Sequence, residues 1–462
     1  MEAIRLPVLK KKKMISRRQK IMRKISRRSF LKASAVVAGA AALAACGGSD
    51  SSSTAASTAG STAASGAASE GGATNLVWTI WDKESTAYWQ AMADGYMASH
   101  DNVTIEMLDL GSTDYMTVLA TQLAGAADID VLSIKDIPGY ANLINLDYLA
   151  PMNDVLTRDT ADFNGTIEQL TTDDGNFYAV PFRNDFWVLF YNKDLFDAAG
   201  VPYPANDLPM EEYDALARQM TSGEGDAKVY GTHYHTWRSC VSLFSILDGE
   251  NTIVDGSYDF MKPTYDLVLA QQNDGICMDY GYLKTSSLHY SAAFENQQCA
   301  MLPMGSWFIA TLQTYMAEAE TPFNWGMVKY PHPANAPAGS TLGTVTALAI
   351  NVDSPKAEAA ADFINWCVSE EGAKVIAETG TFPACGSDET NEIIRGTAGF
   401  PEDDASAEAL NTVAVYLEMP YTQYASDIET ILNAEHDAIM TLSETVDEGI
   451  QNMNDQVSVI LA

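Results

Sequence analysis

Apolar positions in residues 76–134 alternate between two spacings. LVWTIW (76–81), VTIEML (103–108) and IDVLSI (129–134) are short apolar runs that predict strands. Between them, residues 84–99 place Tyr88, Met92 and Tyr96 four apart, and residues 115–124 place Met116, Leu119 and Leu123 on one face. Both predict helices. Strand–helix–strand alternation predicts a parallel sheet with right-handed crossovers. Ligands bind such sheets beyond the carboxyl ends of the strands. That puts Trp81, Asp82 and Glu84 on one rim loop, and Lys135 and Asp136 on another.

The stretch FYAVPFRNDFWVLFYNKDLFDAAG (177–200) holds two further apolar runs, 178–182 and 186–191. Arg183, Asn184 and Asp185 separate them and predict a turn, or a crossing between two structural units. Helices are expected at 210–220, 239–247, 260–271, 308–316, 356–368 and 370–379. A strand running into a rim loop is expected at 228–237, strands at 323–331 and 340–350, and a long acidic helical region ends at 460. The folded body, from about residue 76, is too long for one hydrophobic core, so two lobes are expected.

Charge separates the N-terminus from the rest. Residues 1–45 hold thirteen of the 27 Lys and Arg but one of the 61 Asp and Glu. SRRSFLK (26–32), a mildly apolar run (33–45) and LAAC (43–46) read as a signal peptide. Arg27 and Arg28 look like a twin-arginine export signal, with general secretion as the alternative. LAAC resembles a bacterial lipobox, which makes Cys46 the lipidated first residue of the mature chain. Residues 46–75 are then that Cys and a flexible Gly/Ser/Ala/Thr linker. The remainder keeps 14 basic and 60 acidic residues, a net charge of −46. Such a surface disfavours nucleic acid and anionic membrane, so membrane association is expected through the lipid anchor alone. Five cysteines remain and no CxxC occurs, so at least one thiol is free or pairs with another chain.

Four segments, in order, resemble the bacterial extracellular solute-binding proteins of family 1, the maltose-binding-protein-like group. They are LAGAADIDVLSIKD (123–136), DDGNFYAVPFRNDFWVLFYNKDLFDAAGV (173–201), FENQQCAMLPMGSW (294–307) and TALAINVDSPKAEAAADFINWCVSEEGAK (346–374). Two departures stand out: Ala127 replaces the usual Pro, and Gln297–Gln298 the common Gly-Lys. The resemblance implies a two-lobe α/β periplasmic-binding-protein-like fold of type II, each lobe a mostly parallel sheet flanked by helices, joined by hinge crossovers. Lobe 1 would hold 76–183 and 339–384, and lobe 2 would hold 184–338 and 385–462, with crossovers at 183–185 and 337–340. It also implies a monomer that captures a sugar or oligosaccharide and delivers it to the permease subunits of an ABC transporter.

The resemblance assigns a ligand-stacking aromatic to Trp307 and a hydroxyl-binding carboxylate to Asp185; core packing and turn capping are the respective alternatives. It gives aromatic walls to 232–239, making Tyr234, Trp237 and Arg238 candidates. Arg183, Trp187, Trp81, Asp82, Glu84 and Asp136 are further candidates, with Asp82 alternatively a helix N-cap. Thr344, Phe382, Tyr421 and Tyr424 are rim candidates. His233 and His235 alone are a poor metal-ligand set, and no metal or cofactor is expected. GxSxG, HExxH, GxxxxGK[ST] and EF-hand spacings are absent. Two other readings stand beside the sugar: a cationic ligand such as a polyamine, held by acids and aromatics, and a secreted glycosidase using paired carboxylates.

Overall fold

The computed structural model describes residues 73–462 except Asn164. The signal peptide, Cys46 and the linker up to residue 72 lie outside the described residues. The linker ends earlier than expected: Thr74 and Asn75 are already in the first strand, paired with Val103 and Thr104. Their backbone groups complete a ladder, which outweighs a polar, linker-like composition.

The first units follow the pattern. Strand β1 (Thr74–Ile80) buries Leu76, Trp78 and Ile80. Helix α1 (Ala87–Ser99) covers it with Tyr88, Trp89, Met92 and Tyr96. Strand β2 (Val103–Asp109) lies parallel to β1. Helix α2 (Tyr115–Ala124) follows, then β3 (Val131–Ile134), which joins the other edge of β1 in parallel. Helix α3 (Ile137–Asn145) starts at an Asp136 cap, whose Oδ1 accepts from the Gly139 amide at 2.6 Å.

Of the two readings of residues 183–185, a turn or a crossing, the turn does not hold. One strand, β4 (Val180–Asn192), runs straight through them. Arg183 and Asp185 are two apart, so they share a face of the strand, where each neutralises the other. Their backbone is satisfied by β8 (Ser340–Ile350), paired antiparallel from Val180↔Leu348 to Phe186↔Gly343 with a register shift between Pro181 and Arg183. From Trp187 onward β4 changes partners. It pairs antiparallel with β6 (Cys299–Gly305) and with β7 (Trp325–Lys329).

Strand β5 (Tyr230–Thr232) lies parallel to β6, and β9 (Ala414–Leu417) lies parallel to β8. The sheet is therefore mixed, in the order β2-β1-β3-β8-β4-β6-β5, with β7 on β4 and β9 on β8. Within 228–237 the expected strand is β5, and the loop that follows it begins at His233 and is largely buried. The acidic helical region consists of two helices, α4 (Ala425–Met440) and α5 (Val446–Leu461). A capping box restarts the second: Glu448 N donates to Thr445 Oγ1 at 3.2 Å, and Thr445 N to Glu448 Oε2 at 3.0 Å. Helix α4 packs on both α5 and α3, and the Asn145 side chain donates to the Gln423 carbonyl at 3.0 Å.

Cys240, Cys277, Cys299, Cys367 and Cys385 are all buried and free. Burial pushes the Cys277 thiol up to about 12 and Cys385 up to about 11, and raises the other three. A thiol reagent at pH 8 is expected to leave these five untouched in the folded protein and to label all five in urea. Rapid labelling of any of them without denaturant would contradict this packing.

Candidate functional site

The change of partner along β4 brings the ends of several strands to one place. On the β1 side, Trp81 follows the strand and is buried against Trp89 and Tyr115, both at 4.9 Å between ring centroids. Lys135 Nζ lies 5.3 Å from the Trp81 ring and donates to the Ser112 carbonyl at 2.7 Å. Asp82 has φ 49° and caps nothing with its side chain, so the N-cap alternative does not hold. Glu84 is exposed in a short turn. A cavity of about 260 Å³ opens beside Lys135 and Asp136, between α2, α3 and Ser426 at the start of α4.

At the centre, Arg183 and Asp185 form a buried pair, Nη1 to Oδ2 at 3.3 Å. Thr346 Oγ1 accepts from Arg183 Nε at 3.2 Å and Nη2 at 3.1 Å, and the guanidinium lies 5.0 Å from the Tyr88 ring. Asp185 Oδ1 accepts from Ser306 Oγ at 2.8 Å. Burial raises the Asp185 carboxyl, while Arg183 and Ser306 oppose the rise. Thr344 stands opposite Asp185 on β8, and Phe382 packs on Phe186 at 5.0 Å.

The far side is aromatic. Trp307 follows β6, and its ring folds back over Gly305. A Cβ at Gly305 would sit 2.0 Å from the indole, so only glycine allows this approach. Trp307 Nε1 donates to Tyr290 OH at 3.0 Å. Trp187 meets Trp307 edge-on at 5.7 Å, and Trp237 lies 6.3 Å from Trp307 and 5.5 Å from Tyr290. Trp237 is 40 % exposed, whereas Trp187 is buried. His235 packs against Trp237, Tyr290 and His289. Withdrawal from water lowers the His289 pKa, and Asp82 pulls it the other way.

The remaining candidates divide. Arg238 is buried and ion-paired to Glu429 of α4 at 2.7 Å. Trp187 Nε1 donates to Glu418 Oε1 at 2.6 Å. Tyr234 points away, its hydroxyl donating to Gln271 at 2.8 Å in the interior. Tyr421 packs on Tyr140 at 5.8 Å, and Tyr424 is the residue before α4. Both are partly buried and pack against the core. Sequence reasoning passed over Tyr290, His289, Glu418 and Glu429, and weighed His235 only as a metal ligand. The aromatics 289–290 heading a short helix were a usable signal; two acids among 61 were not. Among the described residues no three His, Cys, Asp or Glu side chains gather as a metal site, and no helix is long and apolar enough to cross a membrane.

The chain is similar to known proteins over most of its length. Residues 24–44 match the TAT (twin-arginine translocation) pathway signal sequence, which identifies the export route. The sugar transporter of Rhizobium etli, solved in an open conformation, is 46 % identical, with a TM-score of 0.72 over 84 % of this chain and 99 % of that one. The sn-glycerol-3-phosphate-binding periplasmic protein UgpB of Yersinia pestis is 23 % identical over 81 % of this chain and 83 % of its own. The lactose-binding protein of Rhizobium radiobacter is 23 % identical over 83 % and 92 %. Residues 81–374 match the family described as bacterial extracellular solute-binding protein. The chain is an exported protein of that family, with its type II α/β fold.

Proposed function

We propose that this protein captures a neutral sugar or oligosaccharide between two lobes and delivers it to the permease of an ABC transporter. The observation that carries this reading is the group of Trp187, Trp237 and Trp307 beside the Arg183–Asp185 pair. Indole faces suit the C–H faces of sugar rings, and charged groups make the stronger bonds to hydroxyls. The 46 %-identical sugar transporter supports the ligand class. Lobe 1 is taken as 76–183 and 339–384, and lobe 2 as 184–338 and 385–462, hinged where β4 and β8 pass between them. The ligand drives closure only by its extra contacts in the closed form; moving from 1:99 to 99:1 takes about 5.5 kcal/mol. The protein acts as a monomer without enzymatic activity, held at the outer face of the cytoplasmic membrane by acyl chains on Cys46.

Trp237 offers the most accessible ring, so Trp237→Ala is expected to weaken saccharide binding by roughly tenfold while the melting temperature stays near wild type. Calorimetric titration with maltose, lactose and mannotriose measures it. Unchanged affinity for a saccharide that the wild type binds would remove Trp237 from the site.

A further inference from the structure

We propose that Glu418 is a positioning residue for the ligand platform: it fixes the Trp187 indole, through it Trp307, and couples both to pH. The inference rests on the sugar-binding reading for its ligand part only.

Glu418 directly follows β9, and its amide donates to the Gly343 carbonyl of β8 at 3.1 Å. Trp187 is tied to the same strand. Its amide donates to Thr341 Oγ1 at 3.1 Å, and that hydroxyl donates to the Trp187 carbonyl at 2.6 Å. Both backbones are thus referenced to β8. The side chains then meet, indole N–H to carboxylate at 2.6 Å. A buried indole N–H without an acceptor is costly, so Glu418 selects one rotamer of Trp187. That rotamer presents its edge to Trp307 at 5.7 Å, with the rings at 84°, and to Tyr330 at 5.8 Å. Tyr330 is itself stacked on Phe244 at 4.6 Å. Trp307 is therefore backed by a packed wall that Glu418 anchors through the Trp187 indole.

The charges around that anchor come from three elements: Arg238 ahead of Ser239–Ser242, Glu429 of α4 and Asp185 of β4. Withdrawal from water pushes the Glu418 carboxyl up to about 7; Trp187 and Arg238 hold it down, and Glu429 and Asp185 add to the rise. A ligand seated on the platform displaces more water and raises the carboxyl further. Binding then takes up a proton, and affinity rises as pH falls from 8 to 6. One unit of further shift corresponds to at most a tenfold change, of which about fivefold falls inside this window.

Two variants test the proposal. Glu418→Gln keeps an acceptor for the indole but cannot titrate; Glu418→Leu removes both. Intrinsic tryptophan fluorescence, followed from pH 5.5 to 8.5 without ligand, is expected to show a transition near 7 that is absent in both variants. A transition unchanged in Glu418→Gln would overturn the coupling. In the second arm, maltose, lactose and mannotriose are titrated at pH 6 and 8. For a saccharide bound by wild type, Glu418→Gln is expected to bind equally at both pH values, and Glu418→Leu roughly tenfold more weakly at both. Wild-type affinity in the folded Leu variant would overturn the positioning role. If wild type binds none of the three, the sugar reading and the ligand role of Glu418 fall together, while the fluorescence arm still decides the link to Trp187.

Discussion

Asp185→Ala is expected to destabilise the folded body by about 3–5 kcal/mol, in addition to weakening ligand binding. Asp185 is 2 % exposed and its partner Arg183 is 9 % exposed. Removing the carboxylate leaves a guanidinium in the interior with Thr346 and the Tyr88 ring but no counter-charge. It also strands the Ser306 hydroxyl. Stability and binding therefore change together, because the pair braces the strand that passes between the proposed lobes. The double change Arg183→Met with Asp185→Ala removes both charges and is expected to recover most of the loss. Urea midpoints of the wild type and the two variants measure this. A single variant as stable as wild type would show that Asp185 does not neutralise Arg183 in the fold.

Acid is expected to destabilise the protein through three histidines. His233, His235 and His436 are buried, and burial pushes their pKa values down to about 4, 3 and 3. In the unfolded chain each titrates near 6.5. As pH falls below 6.5 the unfolded chain takes up protons that the folded one refuses, and stability falls until the folded values are reached. At pH 5 this amounts to about 2 kcal/mol for each histidine. Glu418 works in the opposite direction. Its folded value of about 7 lies above the ordinary carboxylate value, so its contribution grows as pH falls from 7 towards 4.5, by about 2 kcal/mol at pH 5. The net loss from these four groups between pH 7 and 5 is about 4 kcal/mol. Neither ring nitrogen of His233 has a protein partner among the described residues, so His233→Phe is the cleanest probe. It is expected to cut the loss by about 2 kcal/mol; equal acid sensitivity in the variant would mean that His233 is protonated in the fold.

How far the sequence was legible follows from the range of each interaction. Residues 115–124 and 340–350 become the expected helix and strand because local periodicity and β-branching decide them. The first parallel unit follows for the same reason. For Arg183 to Asp185 local composition left a turn and a crossing open, because three polar residues in a row are locally compatible with a turn. What keeps them extended is remote: Thr346 is 163 positions from Arg183, and Ser306 is 121 from Asp185. Trp307 and Trp237 were found through a family resemblance, and the structure puts their rings together. Tyr234 shares the same segment but faces inward, since the loop after β5 turns by residues whose direction no pattern records. Glu418 and Glu429 were invisible because a carboxylate gains its role from Trp187 and Arg238, each about 190 or more positions away.

The central claim is that the tryptophan-lined site takes an uncharged saccharide. Isothermal titration of the folded protein at pH 7 with maltose, lactose and mannotriose, beside sn-glycerol-3-phosphate and spermidine, tests it most directly, with product analysis of each mixture. The account predicts saturable one-to-one binding of at least one neutral saccharide, lost or weakened in Trp237→Ala, with no cleavage products. Binding of spermidine alone, or release of shortened sugars, would contradict it.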